Sequence, residues 1–176
     1  MIITISGEAG SGKTTIGKTL AKILNCNFYS MGDLRGRMAT ERGMTIDELN
    51  KLGEKEGWTD KEVDNYQKEL GEKEDNFVIE GRLSWFFIPH SKKIFLYVHP
   101  EIGAKRVFAN PRADEKKIKT IEEMTDYILQ RRESDIKRYG KYYGINPYEQ
   151  KNYDLVINTS DRSPKKIWEE ILKKIL

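Results

Sequence analysis

The chain of 176 residues is poor in the groups that cross-link, cage a metal or anchor to a bilayer: it has one cysteine, five prolines and two histidines. A lone thiol, Cys26, excludes an intramolecular disulfide and reads as a small buried hydrophobe. His90 and His99 have no cysteine or third histidine at ligand spacing, so no zinc site is expected. Long apolar runs are missing as well. The longest, around Trp85-Phe86-Phe87-Ile88 and Ile94-Phe95-Leu96-Tyr97-Val98, are far short of the ~20 residues that span a bilayer. Met1-Ile2-Ile3-Thr4-Ile5 turns polar at Ser6-Gly7-Glu8, too early for a secretory signal. Charge of one sign is scarce: 31 Lys plus Arg against 28 Asp plus Glu leave only +3, too little to advertise a polyanion-binding surface. The expectation is a cytoplasmic, monomeric protein with neither nucleic acid nor membrane as partner. Its length suits one domain, 1–176, with a sizeable core.

What is present is regular. With 38% hydrophobic and 34% charged residues the chain is not disordered. A β-branched start, residues 1–5, is followed by a glycine-rich break and then by Ile16, Leu20, Ile23 and Leu24 at helical spacing, closed by Asn25. Asn27-Phe28-Tyr29 reads as a strand, and Leu34, Met38 and Ala39 as a helix ended by Gly43. Thr45-Ile46-Asp47-Glu48, Thr59-Asp60-Lys61-Glu62 and Thr120-Ile121-Glu122-Glu123 match the capping box and predict helices over about 46–55, 60–71 and 120–139. Phe77-Val78-Ile79, Ile94 to Val98 and Leu155-Val156-Ile157 read as strands buried on both faces. A helix follows Pro100 as far as Asn110-Pro111, and Ser163-Pro164 opens the last one. Alternating strands and helices imply an α/β fold with a doubly wound five-stranded parallel sheet. Trp85, Phe86 and Phe87 read as core residues.

The strongest chemical signal is Gly7-Glu8-Ala9-Gly10-Ser11-Gly12-Lys13-Thr14, a complete GxxxxGK[ST] placed between a strand and a helix. Such a loop turns successive backbone N–H groups toward phosphate oxygens, and the helix N-terminus adds partial positive charge. Lys13 would reach the β- and γ-phosphates, the Thr14 hydroxyl would hold Mg²⁺, and Thr15, next along the helix start, is expected to bind ATP with the loop residues Gly7 to Thr14. A GTP switch is disfavoured: Asn-Lys-x-Asp is absent, and Asp33-Leu34-Arg35-Gly36 follows the second strand, where its DxxG pattern is a coincidence. A small kinase needs little more than this cradle, an acceptor pocket and cations over the transferred group. Glu80 and Arg82 follow the third strand at the carboxyl edge of the sheet, where α/β ligands bind. Glu80 could hold Mg²⁺ through water and Arg82 an acceptor phosphate, or the two could simply pair with each other. Arg131, Asp135 and Arg138 share one helix face, which could serve a nucleotide or be a solvated ion-pair ladder.

Taken in order, Ile5-Ser6-Gly7 with its loop, Ser30-Met31-Gly32-Asp33, Met38-Ala39, Glu41-Arg42-Gly43-Met44, Asp60, Asp64, Glu80-Gly81-Arg82-Leu83-Ser84, Arg131 to Tyr139 and Tyr153 to Ser160 resemble the nucleoside monophosphate kinases, most closely the short cytidylate kinases of archaeal type. The resemblance implies a P-loop NTPase of adenylate-kinase-like fold that transfers the γ-phosphoryl of ATP to CMP or dCMP with Mg²⁺. It implies a helical acceptor arm at about 30–72 and a short lid at about 106–119. Arg82, Arg131, Asp135 and Arg138 fall on the family's phosphate-holding arginine and its Arg-x-x-x-Asp/Glu-x-x-Arg pattern. Arg106 and Arg112 fall in the lid, over ATP, while Asn158-Thr159-Ser160 occupy the turn where these kinases hold adenine by backbone contacts. Position 36, where the family commonly has an arginine six residues after the serine, is Gly here; Arg35 is nominated first and Arg37 second for that contact. Ser30, Asp33, Asp60 and Asp64 line the acceptor region by analogy, or act as caps and surface charges.

The net charge is unevenly spread. Residues 40–75 carry 12 acidic and 6 basic side chains, leaving the remainder of the chain at +9. A solvated helical hairpin accounts for most of the acidic excess, and the cationic remainder fits a site for two nucleotides' phosphates. Two rival functions stay open: a kinase for another acceptor (AMP, UMP or a small metabolite), and a nucleotide-binding regulatory protein without catalysis.

Overall fold

The computed structural model describes residues 1–111 and 118–176. β1 (Ile2–Gly7) lies at the centre of a parallel sheet, between β3 (Phe77–Glu80) and β4 (Lys92–Tyr97), with β2 (Asn27–Ser30) and β5 (Leu155–Asn158) outside them in the order β2-β3-β1-β4-β5. Every residue of β1 and β3 is buried, which explains why these strands read as continuous rather than alternating apolar runs. Side chains still alternate between two cores. Ile3, Ile5, Val78, Ile94 and Leu96 pack beneath α1 (Lys13–Ile23) and α8 (Pro164–Ile175). Ile2, Phe77 and Ile79 meet Met31, Met38, Leu49, Val63 and Leu70 on the other side.

Those last contacts come from α2 (Met31–Glu41), α3 (Ile46–Lys55) and α4 (Trp58–Lys73). The Thr45 box is complete: Thr45 Oγ1 accepts from Glu48 N–H at 3.2 Å and Glu48 accepts from Thr45 N–H at 2.7 Å. The box expected at Thr59 does not form. α4 begins earlier, at Trp58, and Thr59 lies fully buried in its first turn, with its hydroxyl turned back to Glu56 O at 3.4 Å. Half of the third box forms on α7 (Ile121–Tyr143): Thr120 accepts from Glu123 N–H, but Glu123 takes the N–H of Lys119 rather than that of Thr120. This helix outruns its expected end by a turn, to Gly144, whose φ of 67° supplies the left-handed cap. The aromatic stretch forms a short helix, α5 (Ser84–Phe87), in which Trp85 is core, Phe87 half-buried and Phe86 exposed, so the reading of all three as core is corrected. β4 starts at Lys92, two residues before its apolar run, because Lys92 and Lys93 pair with Ile3 and Thr4 of β1, and Asp154 also bonds both backbone groups of Lys93. α6 (Pro100–Ala109) occupies the stretch where the lid was expected to begin, and Arg112 lies outside the described residues. No described helix is long and apolar enough to cross a membrane.

Candidate active site

The register of the central strands builds the site. Ile5 lies opposite Glu80 and Gly7 opposite Leu96, so the loop after β1 emerges between the carboxyl ends of its two neighbours. Gly10, at φ 72°, rests on α6 so closely that a Cβ would fall 2.3 Å from Gly103 O. No other residue fits there. α1 starts at Lys13 without a side-chain cap and without an acidic residue in its first turn, which leaves its N–H groups available to an anion. Lys13 Nζ meanwhile donates to Glu8 O at 2.7 Å and Gly7 O at 3.1 Å. Burial, reinforced by the Arg82 guanidinium, pushes the Lys13 amine down to about 7.

Thr14 and Glu80 meet. Thr14 Oγ1 donates to Glu80 Oε1 at 2.7 Å, and Ser30 Oγ donates to the same oxygen at 2.8 Å. Glu80 is thus not paired with Arg82, and Ser30 both bonds Glu80 and caps α2 through Asp33 N–H at 3.2 Å. A hydroxyl and a buried carboxylate beside a phosphate cradle form a hard-oxygen pair suited to Mg²⁺. Among the described residues no three of His, Cys, Asp and Glu form a metal cage, and an ion carried in on phosphates does not need one.

Across the loop, α7 supplies an arginine cluster rather than a solvated ladder. Asp135 is buried with both oxygens occupied: Oδ1 by Arg138 Nη2 at 3.0 Å, Oδ2 by Arg82 Nε and the Tyr148 hydroxyl, each at 2.8 Å. Burial alone would raise the Asp135 carboxyl, but Arg82 and Arg138 outweigh it and hold it below the usual range. Arg82 also donates Nη1 to Gly7 O at 2.8 Å, tying cluster to cradle. Arg131 lies over the Tyr127 ring at 5.6 Å and lines the same cleft.

On the side of α2–α4, Arg35 is buried, bonding Asp60 Oδ1 at 2.8 Å, Thr59 O at 3.0 Å and Asn50 Oδ1 at 2.8 Å. Asp60 Oδ2 in turn lies 3.3 Å from Arg138 Nε. Arg35 Nη2 is buried with no hydrogen bond to a described residue, whereas Arg37 is exposed on the cleft wall. Asp64 accepts from the Tyr143 hydroxyl, and burial lifts its carboxyl to about 6. Asp33 also borders the cleft. The whole forms one open cleft of about 1230 Å³ running from the α8 end past Lys13 to Gln67.

At the α8 end Arg106 does not face outward as a free lid cation. Its Nη2 donates to Thr159 O and Ser160 O, both at 2.8 Å, and its Nη1 to Gly10 O at 3.2 Å. Thr159 and Ser160 are buried behind it. Four residues on or beside the cleft escape the sequence reading. Asn50 bridges Arg35 and Arg138, Gln67 accepts from Ser84 Oγ at 2.6 Å, Arg132 contacts Glu8 at 3.3 Å, and Arg162 joins Glu170 at 2.5 Å. Only the helical spacing of Asp60, Asp64 and Gln67 could have hinted at one of them.

Residues 2–161 match the Cytidylate kinase-like family. The chain is 35% identical over 176 residues to the cytidylate kinase of Archaeoglobus fulgidus, covering 99% of this chain and 94% of the relative. It is 34% identical over 172 residues to the cytidylate kinase of Methanobrevibacter smithii, covering 98% and 96%. Among solved structures, an uncharacterised protein of Eubacterium ventriosum shares the fold at a TM-score of 0.73 and 19% identity, covering 99% of this chain and 98% of the other. Shikimate kinase from Bacteroides thetaiotaomicron does so at 0.64 and 21%, covering 99% and 97%.

Proposed function

The chain belongs to the cytidylate kinase-like family, and we propose that its cleft transfers the γ-phosphoryl of ATP to CMP or dCMP, giving ADP and CDP or dCDP. The observation that carries the reading is the continuity of the cleft. At about 1230 Å³ it exceeds the ~300–1,000 Å³ of a single small-ligand pocket, and its two ends share one cationic floor at Lys13, Arg82 and Arg138.

In this reading an oxygen of the acceptor phosphate attacks the γ-phosphorus in line as the bond to the β,γ-bridging oxygen breaks, and ADP departs with that electron pair. No protein nucleophile is needed. Lys13 leaves the loop carbonyls for the β- and γ-oxygens and the first-turn N–H groups of α1 wrap the phosphates. Thr14 and, through water, Glu80 are the residues that would hold Mg²⁺, which when bound neutralises charge on those oxygens. Arg82 and Arg131 gather on the transferred group. Arg138 positions Asp60 and Asp135, and Asp135, with both oxygens occupied, acts through the arginines it orients. Arg35, with its buried Nη2 unbonded, takes the acceptor-phosphate contact left open by Gly36, ahead of the exposed Arg37. Residues 30–72 serve as the acceptor arm of a single domain; of the lid assigned to 106–119, the first residues belong to α6, where Arg106 is anchored at the donor end, and Arg112 lies outside the described residues.

A coupled ADP-release assay across CMP, dCMP, UMP, AMP and GMP tests this. CMP and dCMP should lead, and Lys13→Ala should lower turnover by about two orders of magnitude or more while leaving the circular dichroism spectrum unchanged. If no monophosphate raises ADP release above background, the cleft is not that of a monophosphate kinase.

A further inference from the structure

On the kinase reading above, we infer that Asn50 is a further positioning residue of the acceptor end: it joins Arg35 and Arg138 into one phosphate clamp, and the neutrality of its amide is what leaves that clamp cationic.

Two like charges do not settle side by side in a protein interior unless something bridges them. Arg35 on α2 and Arg138 on α7 are bridged twice. Asp60 Oδ1 accepts from Arg35 Nη1 at 2.8 Å, and its Oδ2 lies 3.3 Å from Arg138 Nε. Asn50 Oδ1 accepts from Arg35 Nε at 2.8 Å and from Arg138 Nη1 at 3.2 Å. One bridge is thus a carboxylate, and the other is an amide on a third helix, α3. Guanidinium groups only donate, so the amide has to turn its oxygen to both and its nitrogen away from them. Asn50 Nδ2 has no hydrogen bond to a described residue, and Asn50 borders the open cleft. α3 can approach this closely because residue 53, one turn on, is Gly: a Cβ there would fall 3.2 Å from Arg138 Cδ and 3.3 Å from Arg35 Nη2.

The charge of the set decides what it can hold. Three guanidiniums, from Arg35, Arg82 and Arg138, share two carboxylates, Asp60 and Asp135, which leaves one positive charge. A carboxylate at position 50 would make the same two bridges with stronger bonds and leave none. Burial gives that difference weight. Arg138 and Asp60 are each 2% exposed and Arg35 8%, so water screens little of the field that an acceptor phosphate meets. Holding the arginines in place requires only an oxygen, which Asn and Asp supply alike. Holding a phosphate requires in addition that the bridge bring no charge of its own, and only Asn meets both conditions.

The test measures CMP and MgATP binding by calorimetry, with melting temperatures, for the parent, Asn50→Asp and Asn50→Ala. Asn50→Asp keeps the bridging oxygen but neutralises the clamp, so its Kd for CMP should rise at least about tenfold while it melts at or above the parent temperature. Asn50→Ala removes the bridge without adding charge. It should melt below the parent, yet its Kd for CMP should rise less than about tenfold. Binding of MgATP should change less than that of CMP in both variants. A purely structural Asn50 gives the opposite order, with Asn50→Asp binding CMP like the parent and Asn50→Ala binding it more weakly, and that order overturns the inference. So does an equal loss of MgATP affinity, or an Asn50→Asp that fails to fold. A loss of about tenfold or more in Asn50→Ala overturns it without reference to the other variant. Absence of CMP-dependent ADP release from the parent would instead remove the kinase reading, and the CMP affinities would still decide the role of Asn50. A parent that binds no CMP overturns both.

Discussion

Lys13 shows how one residue carries a cost in the free protein that its ligand removes. Its amine is held among backbone carbonyls beside Arg82, and burial followed by that like charge lowers it from 10.5 to about 7. Between those two values the unfolded chain binds the proton and the native state does not, so this residue's contribution to stability rises with pH above about 7. Triphosphate oxygens reverse the balance by favouring the ammonium form. ATP binding above about pH 7 should therefore take up a proton at Lys13, and binding well below that pH should not, because the amine is already charged. Calorimetry in buffers of different ionisation enthalpy reads this directly. The uptake should be missing in Lys13→Met, and an equal proton count in parent and variant would rule Lys13 out as its source. The phosphate loop was legible in the sequence because its chemistry is contiguous. Asn50, Gln67 and Arg132 were not, because each gains its neighbours only when segments distant in sequence meet, and Arg162 was not, because its bonds to Lys166 O and Glu170 are local to the start of α8 and only the fold brings that start to the cleft.

At the scale of elements the contact between α3 and α7 stands out for its polarity. Asp47 accepts from the Tyr127 hydroxyl at 2.9 Å, Asn50 from Arg138 Nη1 at 3.2 Å, and Glu54 from Ser134 Oγ at 2.7 Å and Lys137 Nζ at 3.0 Å. These residues repeat along one face of each helix, while Ile46 and Leu49 point to the core of the arm. A seam of partly exposed polar contacts holds a closed geometry without the burial that would lock it. Glu54→Ala should cost no more than about 1 kcal/mol in urea denaturation yet raise KM for CMP several-fold, since it loosens the arm where it meets the arginine cluster. An unchanged KM would separate this seam from acceptor binding. Element boundaries show where sequence reasoning reaches and stops. The Thr45 box was readable because nothing competes for it, whereas Thr59 is drawn into the core, its hydroxyl taken by Glu56 O. The inner strands followed from their apolar runs and β2 from the short Asn27-Phe28-Tyr29 stretch; α5 did not, because four aromatic-rich residues give a helix too little length for a period to show.

For the molecule as a whole, the question is whether the acidic arm is a separate unit or part of one folding body. Its charge sets it apart: residues 40–75 hold twice as many acidic as basic side chains, and the phosphate-facing cations lie mostly elsewhere. Its packing does not. Met38, Leu49, Val63 and Leu70 share one buried cluster with Phe77 and Ile79 of β3 and with Ile2 of β1. Loosening the arm's core therefore uncovers the central strands. Buried ion pairs add a second tie, since Arg35 and Asp60 on the arm are linked through Asp60 to Arg138 on α7. Leu49 is fully buried, so Leu49→Ala should remove about 2–5 kcal/mol. Because the cluster is continuous, that loss should shift one cooperative transition as a whole in scanning calorimetry, with calorimetric and van't Hoff enthalpies still equal. An early transition split from the main peak would instead show that the arm melts alone. Acceptor closure would then be local unfolding and refolding, whereas a single shifted peak means that the arm moves as a packed part of the sheet's own core.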